Sequence, residues 1–489
     1  LAACRLSAET LARLSAIVGA NQLRTDDYER AFHARGKSYH DLLYVRAGKL
    51  DMAPDAVIYP RSPDEVLAVV KLAAEEDIAL IPYGGGSSVV GGINALAKSL
   101  GGAVVTLDTT LMTRLIQIDK IAMTATVEAG IYGPALEEAL QKHGVTLSHY
   151  PQSFQYSTLG GWIAARGAGQ QSNRYGKAEK WLVSARLATP KGFWTTEATP
   201  ASAAGPNLNQ LVAGSEGTLG VVTRAVLRLR PKPMSQDTAF VAVEEFGQLS
   251  KFLRHMERAL GGTLSAFEVM WEDFYKLVTT EPAKGKAPLA YGHPYYVLVE
   301  SMGGDQEADS ARFEAALMAA LEAGEVSDAI IAKNQAERDQ MWSLRDDVAQ
   351  VARNWPIFTF DVSLKIADME SYIAEVREGL KAKWPAHTLM VFGHLGDGNL
   401  HVIPGTISDH SPESRKAVEA VVYGALRKRG GSVSAEHGIG LEKRPYLGWS
   451  RSPEEVALMR VLKQALDPKN ILNPGKVLEP ASPRVKAAE

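Results

Sequence analysis

The sequence predicts an α+β chain of more than one domain, and three observations predict it. At 489 residues it is too long for one ordinary core. Short alternating apolar stretches recur between long stretches of helical periodicity. The alternation then breaks at RLRPKPMSQD (228–237), where two prolines mark a boundary. The expected organisation is an N-terminal helical segment (1–50), a first domain (51–235), a second domain with an antiparallel sheet (236–440), a helical segment returning to the first domain (441–478), and a disordered tail (479–489).

Composition narrows the function. With 46% hydrophobic and 22% charged residues and a net charge of −3, the chain has neither the basic face that nucleic acid requires nor an apolar run of membrane-spanning length. The single Cys4 excludes an intrachain disulfide and any cysteine-based zinc site, which fits a bacterial cytoplasm, with peripheral attachment at the membrane left open. LAAC at 1–4 resembles a lipoprotein cleavage box without a preceding apolar segment.

Along the chain, RLSAETLARLSAIVGA (5–20) has helical spacing and ends at Gly19. AVIYP, SPDEVLAVVKLAAEED and IALIPY then read as strand, helix and strand, with Ser62 as N-cap, Pro63 in the first turn and Glu65 completing a capping box. Residues 114–130 read as two strands, PALEEALQKHG (134–144) as a helix, and 181–197 as a hairpin turning at Pro190-Lys191-Gly192. Past the boundary, FVAVEE and YYVLVES are strand-like, and 313–324, 411–429 and 452–468 are helical, the last with a second Ser-Pro-acid-Glu cap.

Glycine marks the first candidate site. PYGGGSSVVGG (82–92) follows a strand and offers backbone N–H groups to a phosphate, yet it matches neither the dinucleotide fingerprint nor the P-loop. Alone it would be a flexible turn. STLGGWIAARGAGQQSNRYG (157–176) and AGSEGTLGVVTRAVLRLRPKP (213–233) add small and hydroxyl-bearing residues at further strand and loop junctions.

Histidine marks the second. FGHLGDGNLHV (392–402) places His394 and His401 about an Asp397-Gly398 turn signal. A two-residue turn there would pair His394 with His401, about 5 Å apart on one face, where two imidazoles can grip one metal. A surface hairpin carrying two histidines would need no metal. SAEHGIG (434–440) supplies the missing carboxylate, Glu436, and leaves His437 as a separate base.

The glycine segments, with IYPRSPDEV before them, resemble the flavin-binding domain of the vanillyl-alcohol oxidase type. That resemblance implies a two-subdomain fold holding FAD, with Pro82, Gly84, Gly85, Gly86, Ser87, Ser88 and Gly91 around the pyrophosphate. It also implies contacts to the rest of the cofactor from Ser157, Thr158, Gly160, Gly161, Gly169, Glu216, Gly217 and Val221. Covalent members attach FAD in this loop through a histidine; Ser87 and Ser88 stand there instead, so the implied FAD is non-covalent.

FGHLGDGNLH, SAEHGIG and DPKNILNPGKV (467–477) resemble FAD-linked D-2-hydroxyacid dehydrogenases, the group of D-lactate, glycolate and D-2-hydroxyglutarate enzymes. The resemblance implies a divalent metal, zinc or manganese, on His394, His401 and Glu436. It makes His437 the base and brings Asn399 and Asn473 near substrate and flavin. WSLRDDV (342–348) matches the stretch whose arginine, here Arg345, holds the substrate carboxylate. The implied reaction is metal-assisted oxidation of a D-2-hydroxy acid to the 2-oxo acid, with hydride passing to flavin N5. An external electron acceptor, a quinone or an electron-transfer flavoprotein, is then required, and a homodimer is compatible with the family.

Two departures stand out. AFHARGKSYHDLLYVRAG (31–48) and GGWIAARGAG are closer to alkyldihydroxyacetonephosphate synthase, an ether-lipid transferase of the same fold. And where hydroxyglutarate enzymes carry a lysine two positions before the Asp of the DVS segment, this chain has Thr359. A second buried carboxylate would lack its charged partner there, which favours a lactate-like or longer apolar side group.

Overall fold

A computed structural model describes residues 1–96, 101–199 and 202–479. Apart from Glu479, the expected tail lies outside the described residues. The chain forms two compact units. The first comprises Leu1–Ala168, Lys177–Pro231 and the chain from Glu436 onward; the second comprises Gly169–Gly176 and Lys232–Ala435.

In the first unit, Ala56–Ile58 and Ala79–Tyr83 both pair in parallel with Val104–Asp108, which lies between them. The helix that joins them, Pro63–Glu75, buries Val66, Val69 and Val70 against the sheet. Leu14 and Val18 of the N-terminal helix Ala8–Val18 join that cluster, as do Ile471 and Leu472 near the C-terminal end. Ser62 Oγ accepts the Glu65 N–H at 3.2 Å, as its N-cap role requires, but the Glu65 carboxylate takes the N–H of Arg61 at 2.8 Å. The reciprocal capping box is therefore displaced by one residue, whereas Ser452 and Glu455 complete theirs. A second sheet runs in the order Leu115–Asp119, Thr124–Glu128, Val221–Arg228, Leu182–Thr189 and Gly192–Thr195.

The second unit is built on a seven-stranded antiparallel sheet. Its spatial order is Asp328–Ile331, Ser235–Val243, Tyr295–Gly303, Leu264–Trp271, Thr388–His394, Asn399–Gly405 and Phe360–Ser363. The two central strands, Leu264–Trp271 and Tyr295–Gly303, are buried along their whole length, as strands covered on both faces are. Each nevertheless carries one glutamate, Glu268 and Glu300, and a carboxylate in such a place demands partners. Among the described residues no helix is long and apolar enough to cross a membrane.

The histidine hairpin corrects the expected register. Its strands pair Phe392 with His401, not His394 with His401. The connection is a 3₁₀ turn, Leu395–Asp397, closed by Gly398 at φ 68°. The register thus slips by an even number of residues, and an even slip keeps side chains on their face. His394 remains on the same face as His401, diagonal instead of opposite, with ring centroids 5.8 Å apart.

Candidate active site

Glycine segments far apart in sequence converge in the first unit. A Cβ on Gly84 would meet Thr158 Oγ1 at 2.2 Å, one on Gly85 would meet the Tyr156 carbonyl at 1.9 Å, and one on Gly217 would meet Pro82 at 2.9 Å. The 84–92 loop is therefore laid directly on 156–158, with the 216–217 turn against Pro82. Asn473 ties the same loops from a third direction. Its Nδ2 donates to the carbonyls of Gly92 at 2.9 Å and Glu216 at 2.7 Å. Around this cradle Thr158 Oγ1, Ser215 Oγ and Asn473 Oδ1 are buried polar atoms without a hydrogen-bond partner among the described residues, as the walls of a polar ligand's site would be.

The other residues expected to contact the cofactor have these neighbours within the protein. Ser157 Oγ accepts from Trp162 Nε1 at 2.7 Å and donates to the Ser153 carbonyl at 2.8 Å. Ser88 Oγ closes its own loop on Gly92 N at 3.0 Å. Gly160 packs against Ala129, Gly161 has open space beyond the Thr158 hydroxyl, and Val221 lies in the core cluster. Gly169 belongs to the second unit, where its N–H donates to Ser172 Oγ at 2.7 Å. Gly86 and Gly91 hold positive φ, 70° and 68°, which the tight loop requires. Ser87 precedes Ser88 within it.

Glu216 has its own task. Its carboxylate accepts the N–H groups of Ile439 at 2.6 Å and Gly440 at 2.8 Å, fixing the chain just past His437. Burial pushes this carboxyl up to about 7 against the lowering effect of those two N–H groups. A raised folded-state pKa means that the stabilisation is complete below the ordinary value of 4.5 and is lost as pH rises through about 7. Glu216→Gln keeps an accepting carbonyl but cannot ionise. Unfolding measured in urea from about pH 5 to 8 should show wild type losing on the order of 3 kcal/mol relative to the variant. Parallel pH profiles would contradict this role.

In the second unit, the helix Gln335–Asp346 carries Trp342 and Arg345 on one face. Both reach sheet carboxylates: Trp342 Nε1 donates to Glu300 Oε2 at 2.8 Å and Arg345 Nε to Glu268 Oε2 at 2.7 Å. Arg345 is 3% exposed, its Cζ lies 4.7 Å from the Phe392 ring centre, and its terminal nitrogens make no hydrogen bond among the described residues. Glu268 also takes His394 Nδ1, at 2.5 Å. Burial opposes its ionisation, but the neighbouring His394 and Arg345 outweigh that and hold its carboxyl below the ordinary value. Asn399 is wholly buried, and neither atom of its amide has a hydrogen-bond partner among the described residues.

The chain approaches Glu436 along the sheet edge. Ser432 bridges Ser363, and Asp361 Oδ2 accepts the Ala435 N–H at 2.9 Å and the Ser434 hydroxyl at 3.3 Å. Glu436 follows Ala435 directly, and one ligand atom each from His394, His401 and Glu436 falls within 4.8 Å of the others. His437 Nε2 lies 3.6 Å from Glu436 Oε1, and its side chain is 37% exposed.

Sequence reading missed Glu268, Glu300 and Asp361. The available signal was an acidic residue inside an apolar strand, LSAFEVMW for Glu268 and YYVLVES for Glu300.

Residues 54–196 match the FAD binding domain family, and 232–477 match the C-terminal domain of FAD linked oxidases. A D-2-hydroxyglutarate dehydrogenase from Xanthomonas citri pv. viticola is 34% identical over 435 residues, 87% of this chain and 89% of that protein. An alkyldihydroxyacetonephosphate synthase from Dictyostelium discoideum is 29% identical over 503 residues, 96% of this chain and 80% of that protein. A solved alkyldihydroxyacetonephosphate synthase superposes with a TM-score of 0.78 at 25% identity, covering 97% of this chain and 86% of its own. p-Cresol methylhydroxylase, at 17% identity and a TM-score of 0.73 over 96% of both chains, shares the fold. The converging glycine loops and their unpartnered polar atoms suit such a cofactor. The chain belongs to the FAD-linked oxidases, and it is an FAD-dependent oxidoreductase.

Proposed function

We propose that this protein oxidises a D-2-hydroxy acid to the 2-oxo acid, using non-covalent FAD and a divalent metal, zinc or manganese, held by His394, His401 and Glu436. Two imidazoles and a carboxylate are a donor set that suits either metal and leaves positions for substrate. When bound, FAD supplies the two-electron acceptor that side chains lack, and the metal supplies Lewis acidity at the substrate hydroxyl.

The observation that carries the reading is Arg345, buried, stacked on Phe392, and with terminal nitrogens that make no hydrogen bond among the described residues. A guanidinium so placed matches a carboxylate bidentately. The imidazole of His437 takes the hydroxyl proton, a general-base role that a neutral ring nitrogen can fill. Asn399 offers its amide, unpartnered among the described residues, as donor or acceptor to the substrate, and the burial of Arg345 and Asn399 excludes water from the carboxylate end. An external acceptor, a quinone or an electron-transfer flavoprotein, completes the cycle.

The name of the Xanthomonas relative supports a D-2-hydroxy acid. Thr359, exposed just before the strand Phe360–Ser363, brings no cation for a distal carboxylate, and that favours a lactate-like or longer apolar side group. A second reading, an ether-lipid transferase, is favoured by the Dictyostelium synthase, whose match spans 96% of this chain. An anaerobic absorbance titration of the flavin-loaded protein separates the two. D-Lactate or D-2-hydroxybutyrate should bleach the flavin at lower concentration than D-2-hydroxyglutarate, and L-isomers should not bleach it. Absence of bleaching by every hydroxy acid, with exchange on an acylated ketone phosphate, would favour the transferase.

A further inference from the structure

We propose that Glu268 is a positioning residue that holds the metal ligand His394 and the carboxylate-binding Arg345 in one rigid spacing; this rests on the reading of the site given above. Glu268 pairs with His394 across neighbouring strands, so its backbone is set beside the ligand it serves. Its carboxylate is 1% exposed and divides its oxygens between two partners. Oε1 meets His394 Nδ1 at 2.5 Å and Oε2 meets Arg345 Nε at 2.7 Å.

Each contact selects one functional form. A carboxylate accepting the proton of Nδ1 leaves Nε2 of the imidazole unprotonated, with a lone pair for a metal. A carboxylate occupying Nε of the guanidinium blocks side-on docking and leaves the two terminal nitrogens as the fork for substrate. Phe392, which pairs with His401 and stacks on Phe274 at 4.2 Å, supports the guanidinium plane from beneath. A 2-hydroxy acid carries its hydroxyl and carboxylate on adjacent carbons, so the groups that bind them must keep a fixed separation. Here one carboxylate spans both. Glu300 receives no such pair among the described residues; its partners there are the neutral donors Gln236, Thr238, Ser265, Gln171 and Trp342.

The test uses the full-length, flavin-loaded chain stripped of metal, as wild type, Glu268→Gln and Glu268→Asp. Aspartate keeps the charge that folding requires but is too short to reach both partners. Mn²⁺ alone is titrated by electron paramagnetic resonance, and pyruvate alone is titrated into metal-free protein by flavin difference absorbance. Both variants should bind Mn²⁺ roughly 10- to 100-fold more weakly. They should also bind pyruvate at least about tenfold more weakly, with flavin content unchanged. Loss of either affinity alone, or of neither, overturns the proposal while the metal reading stands. A wild-type protein that takes up no Mn²⁺ overturns that reading and the proposal together.

Discussion

His394→Ala should leave FAD bound and slow substrate-driven bleaching of the flavin by about 10²- to 10³-fold, the loss expected when a group stabilising developing charge is removed. The glycine cradle lies in the first unit and His394 in the second, so the yellow colour and flavin content should match wild type. The slowing should appear in single-turnover bleaching at saturating substrate, because His394 is proposed to act on charge that develops at the hydroxyl. Removing the imidazole also leaves Glu268 Oε1 without a donor in a buried strand. A lowered unfolding midpoint should therefore accompany the lost rate, as a buried polar group without its partner costs about 1–3 kcal/mol. A variant that bleaches at the wild-type rate would exclude His394 from the chemistry.

Arg345→Lys is the second large effect. Lysine keeps the positive charge beside Glu268, so the chain should fold, but it cannot donate to Glu268 and present a planar fork at once. The expected result is a fall in kcat/KM of about 10²- to 10³-fold, carried mostly by KM, since the carboxylate is held in ground state and transition state alike. Arg345→Leu should be worse in a different way. It strands the Glu268 carboxylate in a wholly buried strand, and breaking a buried pair costs roughly 3–5 kcal/mol. Steady-state kinetics and urea unfolding on both variants separate the two effects. Unchanged KM in Arg345→Lys would place the substrate carboxylate elsewhere.

Local grammar in the sequence was readable where one residue's chemistry decides. Ser62, Ser452 and Gly19 end or start helices because a hydroxyl or a missing Cβ is needed at that position alone. The histidine hairpin was half readable. The parity of His394 and His401 follows from alternation, but the register depended on whether Asp397-Gly398 made a two-residue turn or closed a 3₁₀ turn, and Leu395, buried at the turn, chose the second. Glu268 and Glu300 stood out as acids inside apolar strands, but their role could not be read, for a physical reason. An acid in an apolar strand signals a solvent-facing position unless its partners are known, and here they come from a helix, a strand and a turn up to 129 residues away. The excursion of Gly169–Gly176 into the second unit was likewise hidden, since Asn173 donates to the Leu264 carbonyl across 91 residues. The glycine segments were recognised jointly, but the division of labour among Ser157, Glu216 and Val221 depends on neighbours that only the fold supplies.

The most direct test of metal-assisted oxidation follows flavin absorbance anaerobically after mixing D-lactate with flavin-loaded protein, first stripped by chelator and then resupplied with Mn²⁺ or Zn²⁺. Bleaching that is slow in the stripped protein and returns on addition of one equivalent of metal is the predicted result. Bleaching at full rate in protein shown to be free of metal would contradict the account.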